Sequence, residues 1–191
     1  MALTRRAPAC RTMIPVKVTF MKLRLSAIAL AALASSVPMD AASADPLPTS
    51  KQLPLSIALE AATEAVAVCA RTDYLVTATV VDASGLVKAV AKGDGTYPHT
   101  LDTSSGKAYA AVSLGPDFRK DTTSEIVAFV VNNPAFGPLV NLQKVYLVAG
   151  GVVIKSGNEV IGAIGVGGPP RGDQDEVCAQ AGVAKIAARL K

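Results

Sequence analysis

The chain has 191 residues and a formal net charge of +4, with 19 basic and 15 acidic side chains. The charge is uneven, because residues 1–44 hold six of the basic side chains and one of the acidic ones. Residues 45–191 therefore carry 13 basic and 14 acidic side chains, a net charge of about −1. This balance excludes a broad basic surface of the kind that binds nucleic acid through its phosphates.

Residues 21–44 have the pattern of a secretory signal peptide. Lys22 and Arg24 form a short basic start, residues 25–37 are apolar or small, and residues 42–44 read Ala-Ser-Ala, a small-residue cleavage site. The apolar run is too short to span a bilayer comfortably, which disfavours a membrane anchor.

Residues 1–20 would make the basic start longer than usual, which favours initiation at Met21. We therefore expect residues 1–44 to be a signal peptide with an over-called N-terminal extension. Residues 45–191 then form the mature domain, periplasmic or secreted, without a membrane span.

Apolar residues at steps of three and four predict a first helix over residues 53–72. Its apolar stripe contains Leu55, Leu59, Ala62, Val66 and Cys69. Residues 74–94 are rich in β-branched residues and have a tight turn at residues 82–85, which predicts a hairpin of two strands.

A polar loop with His99 comes next, and a helix is expected from Asp102 or Thr103, where a side-chain oxygen can act as cap. A short helix follows over residues 124–133 and ends before Pro134.

Three further strands are predicted at residues 144–149, 152–155 and 159–167, separated by glycine-containing turns. The last helix, residues 172–191, has Asp173 as its expected cap. This order predicts an α+β domain with a single antiparallel sheet of about five strands and flanking helices.

Two cysteines, Cys69 and Cys178, remain after the leader with Cys10 is removed. Cys69 lies on the apolar stripe of its helix, whereas Cys178 aligns with Lys185 and Arg189 on the less apolar side of the last helix. An exported protein permits a disulfide. The sequence leaves open whether the two are bridged or are separate packing residues.

Residues 162–173, between a strand and a helix, do not form a phosphate-binding loop. Gly165 and Gly167 are followed by Pro170 where the dinucleotide-binding pattern requires glycine. The spacing typical of zinc ligands is also missing from residues 45–191.

Several motifs together resemble the GlcG/HbpS-like family of small haem-binding or haem-degrading-type proteins. They are the D-x-x-G hairpin at residue 82, the H-T loop at residue 99, K-A-Y at residue 107, G-G-V-x-I at residue 150, I-G-A-I-G-V at residue 161 and D-E-x-C-A at residue 175. The resemblance covers nearly all of residues 45–191. It implies a sheet of profilin or roadblock type, and relatives of this family are usually oligomeric.

Together with the signal-peptide pattern of residues 21–44, the resemblance implies an exported protein that binds haem or a similar tetrapyrrole in sequestration or sensing. His99 would be the iron ligand, within a polar site that also holds Thr100. Lys107 and Arg171 would pair with the haem propionates, and Tyr97 and Tyr109 would flank the porphyrin. Pro169 and Pro170 stand where relatives often have small polar residues, so two backbone donors are missing there.

Two alternatives stay open. The chain could be an enzyme, or a subunit of one, that acts on a small organic acid or cofactor, with Lys107 holding a carboxylate and His99 as general base. It could also be a structural oligomerisation module, since a sheet of this type can serve assembly alone.

Overall fold

A computed structural model describes residues 45–168 and 170–191, so the signal-peptide prediction for residues 1–44 lies outside the described residues. Within those ranges four strands form one antiparallel sheet in the order β2-β1-β4-β3. The strands are β1 (Thr77–Asp82), β2 (Val87–Lys92), β3 (Gly151–Ser156) and β4 (Glu159–Gly167).

The helices that the described residues form are α1 (Leu55–Ala70), α2 (His99–Phe118), α3 (Thr123–Asn132) and α4 (Gly172–Ile186). Short 3₁₀ helices span Pro134–Asn141 and Ala187–Arg189. The predicted α+β class with a single antiparallel sheet is confirmed. No helix in the described part of the chain is both long enough and apolar enough to cross a membrane.

The two faces of the sheet are covered by different helices. Helices α1 and α4 pack on one face, where they form the main core with inward residues of the sheet such as Val80 and Ile164. Helix α2 packs on the opposite face, against Val81, Val153 and Ala163. Edge strand β2 is covered by α1 on one face only, and Val87 and Val90 are exposed.

The buried face of α1 differs from the predicted stripe. Leu55 and Leu59 are about half exposed, and the buried positions are mostly alanines: Ala58, Ala61, Ala62 and Ala65. The reason is the close approach of α4, whose Gly182 lies directly against the backbone of α1. Side chains larger than alanine do not fit between two helices at that distance.

The predicted strand at residues 144–149 does not join the sheet. Its alternating apolar residues Val145 and Leu147 instead pack against a cluster that Leu114, Ile126 and Val130 form between α2 and α3. The backbone N–H of Tyr146 donates to the Gly106 carbonyl at 3.2 Å. The segment thus covers helices, which is why the sheet has four strands and not five.

Strand β4 allows α2 to lie unusually close to the sheet. A Cβ atom at Gly165 would overlap the carbonyl oxygen of Ser104 and the backbone nitrogen of Ala108. Glycine is therefore required at this crossing, and it fixes the position of the second and third turns of α2 relative to β4.

Candidate functional site

The histidine lies in the first turn of α2 and not in the loop before it. The sequence predicts a helix from Asp102 or Thr103, but α2 begins at His99, and Pro98 precedes it with helical dihedral angles (φ −58°, ψ −41°). Proline suits the start of a helix because its φ is already fixed there. The His99 side chain is exposed, and its ring lies 6.0 Å from the Tyr97 ring at an interplanar angle of 14°.

Thr100, the next residue, is completely buried. Its hydroxyl donates to the Tyr97 carbonyl at 2.7 Å and also lies 2.7 Å from the hydroxyl oxygen of Thr77 on β1. The Thr100 side chain therefore faces the sheet, where it holds the turn that carries Tyr97 and His99.

A groove of about 410 Å³ separates α2 from the β1–β2 hairpin, and we call it the hairpin groove. Tyr109 of α2 forms one wall, and its ring lies over Gly85 in the hairpin turn. A Cβ atom at Gly85 would come within 2.7 Å of the ring, and the φ of +76° also requires glycine. Leu86 and Val87 form the opposite wall and are 64% and 58% exposed.

Polar side chains complete the hairpin groove at Asp102, Ser105 and Lys144. Asp102 lies one helical turn after His99, so the two are neighbours on the surface of α2. The exposed imidazole is therefore next to the end of a groove whose walls are mainly apolar.

Lys107 does not reach this groove. Its side chain is buried, and its ammonium forms an ion pair with Asp175 at the start of α4. The same ammonium donates to the Val166 carbonyl at 3.0 Å. His99 and Lys107 are eight residues apart on one helix, which corresponds to about 12 Å along its axis.

Asp175 has an unusual environment for a carboxylate. Its side chain is buried, and its Oδ1 is the one buried side-chain oxygen or nitrogen in the described residues that has no hydrogen-bond partner. Burial raises the pKa of Asp175 to about 6, although the neighbouring Lys107 charge acts in the opposite direction. A buried carboxylate with a single charged partner favours the protonated form more than an exposed one does.

Glu176, the next residue, connects three parts of the chain. Its carboxylate accepts from the Ser124 hydroxyl at 2.6 Å, from the Ser124 N–H at 3.1 Å and from the Gly150 N–H at 3.2 Å. It therefore satisfies backbone donors at the start of α3 and before β3. The acidic pair at residues 175–176 holds the fold together at this end of the sheet.

Arg171 lies outside the hairpin groove. It occupies the N-cap position of α4, where the sequence predicts Asp173, and no side-chain hydrogen bond caps this helix. The guanidinium pairs with the Asp173 carboxylate at 2.5 Å, and this pairing lowers the pKa of Asp173 and raises that of Arg171. Both side chains are exposed.

Cys69 and Cys178 are joined by a disulfide that links α1 to α4. The prediction that Cys178 lies on the less apolar side of its helix is wrong, since its side chain is only 3% exposed and belongs to the main core. Lys185 and Arg189, with which it aligns in the sequence, are exposed nearer the end of the chain.

The structure thus divides the residues that the sequence singles out. His99 and Tyr109 lie on α2 and Tyr97 just before it, at or near the hairpin groove, whereas Lys107 and Arg171 are paired elsewhere. Sequence reasoning misses Lys144 at the groove, since nothing in the sequence around it distinguishes it from other surface lysines. It also gives Asp175 no role beyond its place in the D-E-x-C-A motif.

Comparison with known proteins places these features in a family. Residues 53–184 match the model of a family described as haem degrading protein HbpS-like. No curated protein sequence matches the chain significantly.

Solved structures agree with this match. A crystal structure of HbpS is 32% identical, with a TM-score of 0.66 over 72% of this chain and 92% of that one. A double mutant of HbpS from Streptomyces reticuli is 31% identical, with a TM-score of 0.66 over 78% of this chain and 97% of that one.

A complex of PduOC with haem is 24% identical, with a TM-score of 0.63 over 71% of this chain and 96% of that one, and it supports the fold alone. The family model covers more than half of the chain, and the HbpS structures agree with it along most of their own length. The chain belongs to the HbpS-like family of haem-degrading proteins.

Proposed function

We propose that the protein binds haem in the hairpin groove, with the imidazole of His99 as the iron ligand. The observation that carries this proposal is the position of an exposed imidazole, stacked near Tyr97, one helical turn from an apolar groove. A neutral imidazole is the commonest protein ligand of haem iron, and a porphyrin needs apolar walls.

The donor set of the groove fits a haem in its chemistry. Leu86, Val87 and the Tyr109 ring supply apolar and aromatic surface. Lys144, which is exposed at the groove, supplies a cation for a propionate. The bound iron would supply the redox chemistry, and the chain would supply the ligand and the walls.

Lys107 and Arg171 have no part in this proposal, because each already pairs with an aspartate. Lys107 is buried and lies about 12 Å from His99 along α2, which gives no support to an organic-acid enzyme that uses the two together.

We further propose that the protein is exported and sequesters or senses haem outside the cytoplasm. The disulfide between Cys69 and Cys178 supports this, because such bonds persist mainly in oxidising compartments. The signal-peptide pattern of residues 21–44 points the same way.

A haem titration followed by absorbance tests the groove. The full chain is purified without a histidine tag, so that His99 is the one imidazole present. Val87→Asp places a charge in the groove. We expect its haem affinity, measured from the Soret change, to be at least tenfold weaker, with binding that still saturates. Val177→Asp on α4 is the matched control, since Val177 is 60% exposed on a different element. Equal loss in both variants, or none in Val87→Asp, would place haem elsewhere.

A further inference from the structure

Two pairs of buried hydroxyls join β1 to the first half of α2. Thr77 lies 2.7 Å from Thr100, and Thr79 lies 2.7 Å from Ser104, measured between hydroxyl oxygens. All four side chains are fully buried. The spacing matches because two residues of a strand and four residues of a helix both advance by about 6 Å.

The direction of each hydrogen bond follows from a count of protons. The hydroxyl of Thr100 has one proton, which it donates to the Tyr97 carbonyl at 2.7 Å. Thr77 must therefore donate to Thr100. By the same argument Thr79 donates to Ser104, whose own proton goes to the Leu101 carbonyl at 3.1 Å.

We call these chains of hydrogen bonds the first relay (Thr77 to Thr100 to the Tyr97 carbonyl) and the second relay (Thr79 to Ser104 to the Leu101 carbonyl). The first relay ends on the turn that carries the candidate iron ligand. Tyr97 contributes the carbonyl that accepts from Thr100 and the ring that lies beside the His99 imidazole. No side-chain hydrogen bond caps the start of α2, and the relay instead ties its first turn to β1. The second relay acts one turn further along the helix and does not touch Tyr97.

We propose that Thr77 is a positioning residue for the His99 imidazole, acting through Thr100 and the Tyr97 carbonyl. Its buried hydroxyl keeps the first turn of α2 against β1, and that turn keeps the two rings parallel. The relevance to haem rests on the proposed function, but the positioning itself is a property of the protein without ligand.

Proton–carbon NMR of the His99 ring measures this positioning directly. The full chain contains one histidine, so each ring C–H gives a single signal in an untagged sample. The Tyr97 ring at 6.0 Å shifts these signals by its ring current. Tyr97→Leu therefore gives the signal positions that correspond to loss of the pairing.

Thr77→Val removes the donor with little change in volume, and we expect the His99 signals to move toward their positions in Tyr97→Leu. Thr77→Ser keeps the hydroxyl and should restore the wild-type positions. Thr79→Val breaks the second relay at equal burial and should leave the signals in place. Unchanged His99 signals in Thr77→Val, or equal changes in Thr79→Val, would overturn the proposal.

If Thr77→Val does not fold, Thr100→Val interrupts the same relay at its second hydroxyl, with Thr100→Ser as its rescue. Haem titration of the same variants separates the two proposals. About tenfold weaker haem binding in Thr77→Val, restored in Thr77→Ser, is expected when both hold. Moved NMR signals with unchanged haem binding would keep Thr77 as the positioning residue and remove His99 as the iron ligand.

Discussion

Lys107 and Asp175 form a buried ion pair between α2 and α4, two helices that pack on opposite faces of the sheet. The pair lies at the end of β4, where the Lys107 ammonium also bonds to the Val166 carbonyl. It joins residues 68 positions apart in the chain. The two layers are therefore linked by a pair of charges away from solvent, and its removal has consequences that can be measured.

The pH dependence of stability should carry the signature of Asp175. Its pKa is about 6 in the folded protein and 3.8 ordinarily, so the folded state binds the proton more tightly than the unfolded state does. The stability from this proton is fully present below pH 4 and is lost as the pH rises through 6. The loss is at most about 3 kcal/mol, since one pKa unit corresponds to about 1.4 kcal/mol.

Denaturant unfolding of the wild type and of Asp175→Asn between pH 4 and pH 7 checks this expectation. The free energy of unfolding of the wild type, relative to that of the variant, should fall as the pH rises. A difference that stays constant or increases over this range would contradict the raised pKa.

Removal of Lys107 alone should cost more than removal of both partners. Lys107→Met leaves the Asp175 carboxylate buried without its counter-charge, a change that typically costs about 3–5 kcal/mol. Lys107→Met with Asp175→Leu removes both charges and should recover a large part of that loss. Free energies of unfolding at pH 7 measure both variants, and a double variant less stable than Lys107→Met would contradict the account.

The disulfide should account for a large share of the stability. Cys69 and Cys178 are 109 residues apart. In the entropic model, closing a loop of that length raises the free energy of the unfolded chain by about 5 kcal/mol. Reduction should lower the unfolding midpoint in denaturant accordingly. Thiol titration of the denatured full chain should give one thiol, Cys10, before reduction and three after it.

The contact between α2 and β4 should tolerate no side chain at Gly165. Gly165→Ala places a methyl group against the backbone of α2, and we expect a loss of at least about 2 kcal/mol. Gly137→Ala is the matched control, because a Cβ atom there meets no other atom within 4 Å. Thermal unfolding compares the two, and equal stabilities would show that α2 does not lie where the structure has it.

The order of elements could be predicted from the sequence because it depends on local signals. Apolar periodicity marks α1, and Gly85 and Gly157 mark the turns of the two hairpins. The segment at residues 144–149 has the alternation of a strand, yet it packs on helices. Local periodicity does not say which surface an apolar side chain will meet.

The candidate site was predictable only in part. The sequence and the family resemblance single out His99 and Tyr109, which the structure places on α2, and Tyr97, which it places just before that helix. They also single out Lys107, whose partner Asp175 follows 68 residues later, and no local pattern reveals such a pairing. The early start of α2 at His99 is likewise accompanied by a tertiary hydrogen bond between Thr100 and Thr77, which no local pattern reveals.

The most direct test of the central claim is a haem titration of His99→Ala beside the untagged wild type. The account predicts saturable one-to-one binding with a Soret shift in the wild type, and at least tenfold weaker binding in the variant. Added free imidazole should restore the wild-type spectrum to the haem-loaded variant, because it can occupy the vacated ligand position. Binding and spectrum identical in His99→Ala and the wild type would contradict the assignment of His99 as the iron ligand.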